Sequence, residues 1–181
     1  MTGFVRRALL STLVLLAVHA PAALGAETVP PPLTTDAPRA APEPVAAPAA
    51  PAAAFPIDGK WRMGRGMSSG HQGVDVFAAC GTPLVAPKGG RVVRVATHGS
   101  AGHYVIVRAP SGDEHVFMHL RREASVKPGA DLEPGDALGA VGDSGNADGC
   151  HLHFEVWSAP GWYAGGAPRD PRPALERWAA S

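Results

Sequence analysis

The spacing of apolar residues divides the chain into three regions. Near the start, a largely apolar stretch from Ala8 to Val18 follows Arg6 and Arg7. Between residues 27 and 55, prolines and alanines replace any hydrophobic period. From residue 56 onward, short apolar runs recur between turn residues. Arg91-Val92-Val93-Arg94-Val95, Tyr104-Val105-Ile106-Val107-Arg108, Glu114 to Leu120 and His151 to Trp157 are rich in β-branched and aromatic side chains. Such side chains suit a pleated, half-buried surface, so each run is predicted as a strand. Lys88-Gly89-Gly90, Pro110-Ser111-Gly112, Pro128-Gly129 and Pro134-Gly135 supply the turns between them. No long 3.6-residue period occurs here, and only Pro173 to Ala180 suggests a short C-terminal helix. The pattern predicts a mainly all-β, compact antiparallel domain over residues 56–181.

Composition explains the first two regions. Two arginines, a largely apolar run of 11 residues and the small residues Ala22, Ala23, Gly25 and Ala26 have the order of a secretory signal peptide over residues 1–26. A bilayer-spanning helix needs about 20 apolar residues, so the run predicts export and no integral span after cleavage. Residues 27–55 contain eight prolines and ten alanines in 29 positions. Proline fixes φ and removes an amide donor, so this stretch is expected to be an extended, disordered linker. The mature protein is then expected to be secreted or held in the cell envelope.

Charge removes one class of partner. The chain has 16 basic and 16 acidic residues. Residues 1–58 hold three and four of these, which leaves 13 basic against 12 acidic in residues 59–181. A near-neutral domain does not grip nucleic acid by a basic surface. It is expected to be a monomer.

The chemistry lies in the histidines. Seven of them fall in residues 56–181. His71 and Asp75 stand at i and i+4, and His151 and His153 at i and i+2. In a strand, i and i+2 share a face, so the last two imidazoles can reach one point while Leu152 turns into the core. Two histidines and one carboxylate suit a catalytic Zn²⁺, which keeps a fourth position for water. His119 reads by its apolar neighbours as a core histidine. His98, His103 and His115 read as surface residues.

His71-x-Gly-x-Asp75, Met118-His119-Leu120 and His151-Leu152-His153-Phe154-Glu155-Val156 together resemble the M23 peptidases. These are the lysostaphin-type or LytM-type zinc endopeptidases of bacterial cell walls. The resemblance runs from about Gly70 to Pro171. It includes Cys80-Gly81-Thr82-Pro83-Leu84-Val85-Ala86, Gly142-Asp143-Ser144-Gly145 and Asp170-Pro171. It implies a lysostaphin-like antiparallel sheet with an active-site groove. It also implies His71, Asp75 and His153 as zinc ligands, and His119 and His151 as catalytic histidines that do not bind the metal. Either of that pair can be the base. The implied activity is hydrolysis of stem peptides or peptide cross-links in peptidoglycan by a metal-activated water. Some members lack zinc ligands and bind and activate cell-wall amidases instead, but this chain keeps all five residues. Phe117 and Cys150 replace a frequent Tyr and Pro of the family.

Glu155 shares the strand face of His151 and His153, where it can orient an imidazole or make a salt bridge. An even pair of cysteines in an exported protein favours a disulfide. If the zinc ligands converge, Cys80 and Cys150 are carried together, so this pair is the expected bridge. The competing role is a Cys-His nucleophile.

Overall fold

The structure is a computed structural model and describes residues 52–181. The expected export signal, and all but the end of the expected linker, lie outside the described residues. In chain order the elements are β1 Trp61–Met63, β2 Val74–Ala78, β3 Pro83–Val85, β4 Gly90–His98 and β5 Gly102–Arg108. They continue as β6 Glu114–Leu120, β7 Asp131–Leu132, β8 Ala137–Ala140, β9 His151–Trp157, β10 Pro168–Arg169 and α1 Arg172–Ala179. All four strands predicted from β-branched runs are present. The ones not predicted are two to five residues long, too short for alternation to register.

Eight strands form one antiparallel sheet in the order β1-β2-β9-β6-β5-β4-β7, with β10 also pairing to β9. β3 and β8 form a separate antiparallel pair. The two central strands, β6 and β9, are buried along their whole length. Both of their faces are therefore covered. Leu152, Phe154 and Val156 of β9 join Val74, Val76, Phe117 and Leu120 in the main core. Leu84 and Leu138 of the small sheet, and Leu175 of α1, close that core from outside. Burying such side chains contributes about 1.5–3 kcal/mol each. The opposite face carries a smaller cluster, in which Tyr104, Ile106, Val116, Met118 and Trp157 pack together. The polar side chains of β9 stand on this second face.

Ala54 and Phe55 are part of the packed body. The Ala54 N–H donates to Pro87 O at 2.9 Å. The ring of Phe55 stacks on Trp61 at 4.0 Å. Cys80, just after β2, and Cys150, just before β9, are joined by a disulfide with Cα atoms 5.3 Å apart. Among the described residues no helix is long and apolar enough to cross a membrane.

His115 departs from its sequence reading. It is only 6% exposed, not a surface residue. Its strand is central, and position 115 shares the core face of Phe117. The rings of Phe154 and Trp178 each lie 5.6 Å from it. Nδ1 is buried with no hydrogen-bond partner among the described residues. Burial lowers the pKa from 6.5 to about 4, Asp113 opposing and Lys88 assisting. The unfolded chain therefore binds a proton that the folded chain refuses between pH 6.5 and about 4. Stability is lost as pH falls through that window, by roughly 3 kcal/mol for this group. His115→Phe removes the titration and keeps a ring between Phe154 and Trp178. Urea midpoints at pH 7 and pH 4 should differ less in the variant than in the parent. An identical acid loss in both would refute this account of His115.

Candidate metal centre

Strand register brings the distant motifs together. In the β2–β9 pair, Asp75 stands opposite His153 and Phe77 opposite His151. Side chains directly opposite across an antiparallel pair share a face and lie about 4.5–5.5 Å apart at Cβ. Asp75, His151 and His153 are therefore neighbours, although 76 residues separate Asp75 from His151. His71 lies just before β2, on a turn closed by paired backbone hydrogen bonds between Ser68 and His71. Gly73 lets this turn cross β9. A Cβ there would collide with the Phe154 carbonyl and stand 2.9 Å from His153 Nε2. This is the physical need for glycine between the histidine and the aspartate.

His119 arrives by a different device. Strict alternation puts it beside Phe117, in the core. Instead, β5 pairs Val105 with Phe117 and His103 with Leu120, so Met118 and His119 together oppose the single residue Tyr104. That is a β-bulge. His119 adopts a positive φ of 61°, which costs a side chain with Cβ about 1–2 kcal/mol. The bulge changes the parity of the strand. Leu120 returns to the main core, and the His119 ring comes to 4.8 Å from the His151 ring. His119 is buried, as its apolar neighbours suggest, but the bulge puts its ring beside His151 rather than beside Phe117.

Hydrogen bonds fix which nitrogen of each ring carries a proton. A backbone carbonyl only accepts, so the ring nitrogen facing it must donate. Nδ1–H of His71 donates to Gly66 O at 2.9 Å. Nδ1–H of His119 donates to Ser144 O at 2.8 Å. Nδ1–H of His151 donates to Gly149 O at 2.9 Å. In the neutral form each ring keeps a lone pair on Nε2. His71 Nε2 lies 3.1 Å from Asp75 Oδ1. His151 Nε2 lies 3.8 Å from the same oxygen.

His153 is held in the opposite sense. Its Nδ1 lies 2.8 Å from Asp75 Oδ1, and its Nε2–H donates to Glu155 Oε1 at 3.0 Å. Burial disfavours its charged form, but hydrogen bonds and charge from Asp75 and Glu155 prevail and raise its pKa to about 9. Asp75 shows the complement. Burial pushes its carboxyl up, yet the hydrogen bond from His153 and the surrounding histidines hold it below 3.8. Burial keeps His119 below the usual histidine value despite its bond to Ser144.

One ligand atom each from His71, Asp75 and His153 lie within 4.8 Å of one another, a grouping able to hold a metal ion. The donor set fits. It offers two imidazole nitrogens and one carboxylate oxygen, a set suited to Zn²⁺. The second nitrogen of each imidazole has an acceptor, the arrangement that fixes ligand tautomers in metal sites. A cation here takes the place of the proton that His153 and Asp75 share. The three side chains remain 10–14% exposed, so solvent reaches them.

All five sequence-selected residues thus lie on one face of the sheet, with Glu155 against His153. The sulfur atoms of Cys80 and Cys150 are bonded to each other, which leaves no thiol for the nucleophile alternative. Sequence reasoning missed the carbonyls of Gly66, Ser144 and Gly149, which any residue type can present. It also missed Trp157, whose Nε1–H donates to Glu155 Oε2 at 2.6 Å. Its place two residues beyond Glu155 on the same strand was the available signal.

Comparison with known proteins gives a consistent result. The profile of Peptidase family M23 matches residues 69–171. An uncharacterized metalloprotease of Haemophilus influenzae is 36% identical over 112 residues, covering 61% of this chain and 22% of that protein. The peptidoglycan DD-endopeptidase ShyA of Vibrio cholerae is 29% identical over 113 residues, covering 56% of this chain and 26% of that protein. The chain thus spans about a quarter of the length of these relatives. The catalytic domain of lysostaphin from Staphylococcus simulans superposes with a TM-score of 0.58 and 27% identity. That match covers 64% of this chain and 92% of the lysostaphin domain.

Proposed function

The chain belongs to peptidase family M23, and from that premise we propose that it is an exported zinc endopeptidase cutting peptide bonds of bacterial peptidoglycan. One observation carries the reading. Three ligand atoms sit within 4.8 Å of one another, with two further imidazoles beside them. The similarity to a peptidoglycan DD-endopeptidase supports the substrate class. The arginine-led apolar stretch at residues 6–18 supports export.

In this reading His71, Asp75 and His153 hold the zinc. When bound, zinc polarises the scissile carbonyl and brings the pKa of water to about 7. His119 and His151 serve the proton. One accepts it from the attacking water on a free Nε2 and returns it to the leaving amine. The other, in its protonated form, donates an Nε2–H hydrogen bond to the tetrahedral oxyanion. Their Nδ1 atoms are fixed by Ser144 and Gly149, so neither ring must reorient during turnover.

The test is the identity of the new chain ends. Purified peptidoglycan digested by the protein should yield fragments with new paired amino and carboxyl termini, identified by mass spectrometry. Intact peptides released from sugar would instead indicate an amidase. No cleavage by a protein with full zinc occupancy would favour a silent binding module that activates an amidase.

A further inference from the structure

We propose that Trp157 is a positioning residue for the metal centre: it holds Glu155 so that His153 turns Nδ1, not Nε2, toward the metal. This rests on the metal-binding reading above but not on the identity of the substrate.

His153, Glu155 and Trp157 alternate along β9 on one face. Glu155 is 4% exposed and Trp157 7%. Each Glu155 oxygen takes one donor. Oε1 accepts from His153 Nε2–H at 3.0 Å, and Oε2 accepts from Trp157 Nε1–H at 2.6 Å. An indole N–H only donates, so when buried it requires an acceptor. Without it, one oxygen of a buried carboxylate would lose its partner, and the carboxylate could turn away from His153.

The indole is itself fixed. Trp157 stacks on Trp162, with ring centroids 6.1 Å apart and planes 24° apart. The Trp162 backbone N–H donates to Glu114 Oε2 at 2.9 Å. Arg108 holds the other oxygen of Glu114 at 2.6 Å. The geometry therefore runs unbroken from the loop after β9, through Trp157 and Glu155, to a metal ligand.

A purely packing role for Trp157 makes a different prediction in one double variant. In Glu155→Gln, Trp157 N–H claims the amide oxygen, so the amide NH₂ faces His153 Nε2. That nitrogen must then accept, which moves the proton to Nδ1 and blocks the ligand atom. Removing the indole N–H as well, by Trp157→Phe, frees the amide to flip and present its oxygen to His153.

The experiment measures zinc affinity of the full chain by competition with a chromophoric chelator, with the melting temperature of the metal-free protein as a folding control. Outer partners of metal ligands are typically worth about 10–100-fold in affinity. Trp157→Phe should weaken zinc binding by about tenfold, and Glu155→Gln by about a hundredfold. The double variant should bind zinc about tenfold more tightly than Glu155→Gln alone. Unchanged affinity in a folded Trp157→Phe protein, or a double variant no tighter than Glu155→Gln, would overturn the proposal. If Trp157→Phe does not fold, the Trp157 indole proton of the parent is followed by NMR during zinc titration. It should shift in step with occupancy, and a resonance that stays fixed would overturn the proposal. A parent chain that binds no zinc would defeat the metal-centre reading itself.

Discussion

Replacing His153 by alanine is expected to abolish both zinc binding and hydrolysis, whereas replacing His151 by alanine abolishes hydrolysis and leaves the zinc in place. The two residues are only two positions apart on β9 and equally buried. The distinction comes from register. His153 stands directly opposite Asp75, with Nδ1 2.8 Å from its Oδ1. His151 stands opposite Phe77, and its Nε2 is 3.8 Å from the same oxygen. His153→Ala leaves two ligand side chains, His71 and Asp75. His151→Ala leaves all three and removes a proton carrier, worth about 10²–10⁴ in rate. His119→Ala should behave like His151→Ala. Metal content after dialysis, measured beside peptidoglycan hydrolysis, separates the classes. Complete zinc loss from His151→Ala would mean that the ligand and proton-transfer roles are exchanged.

Opening the disulfide should produce the largest effect on stability. Cys80 and Cys150 are 70 residues apart. On a chain-entropy basis, a loop of that length contributes about 4 kcal/mol. A domain of this size has a total stability of about 5–15 kcal/mol, so the loss is a large fraction of the whole. Cys80→Ala with Cys150→Ala should lower the melting temperature by roughly 10–20 °C. The bridge also sits at the ends of β2 and β9, the two strands whose register sets Asp75 against His153. Zinc affinity should therefore fall in the same variant. Two reactive thiols in the denatured, unreduced protein would show that the bond is absent in solution. An unchanged melting temperature would show that it contributes nothing.

Much of this centre was legible in the sequence because strands have a period of two. His151-Leu152-His153 already implied two imidazoles on one face, with a leucine turned to the core, and β9 has that arrangement. The four longest β-branched runs became the four long strands. Features that depend on tertiary pairing were less visible. His119 reached the site through a bulge between β5 and β6, which no local pattern announces. His115 reads as a surface residue because no metal-type partner stands at a useful spacing, yet it alternates with the core residue Phe117. The partners that fix the histidine tautomers are mostly backbone carbonyls. Trp157 closes a predicted strand, and its local pattern alone does not show that its Nε1–H donates to Glu155. Short strands such as β7 and β10, of two residues each, exist because longer neighbours offer them partners.

In the proposed function, a zinc ion held by His71, Asp75 and His153 is needed to cut a peptide bond in peptidoglycan. The most direct measurement follows peptidoglycan cleavage by the purified protein before chelation, after a strong chelator, and after zinc is returned. New peptide termini are expected in the first sample, none in the second and recovery in the third. Undiminished cleavage by protein shown to be free of metal would contradict the need for zinc.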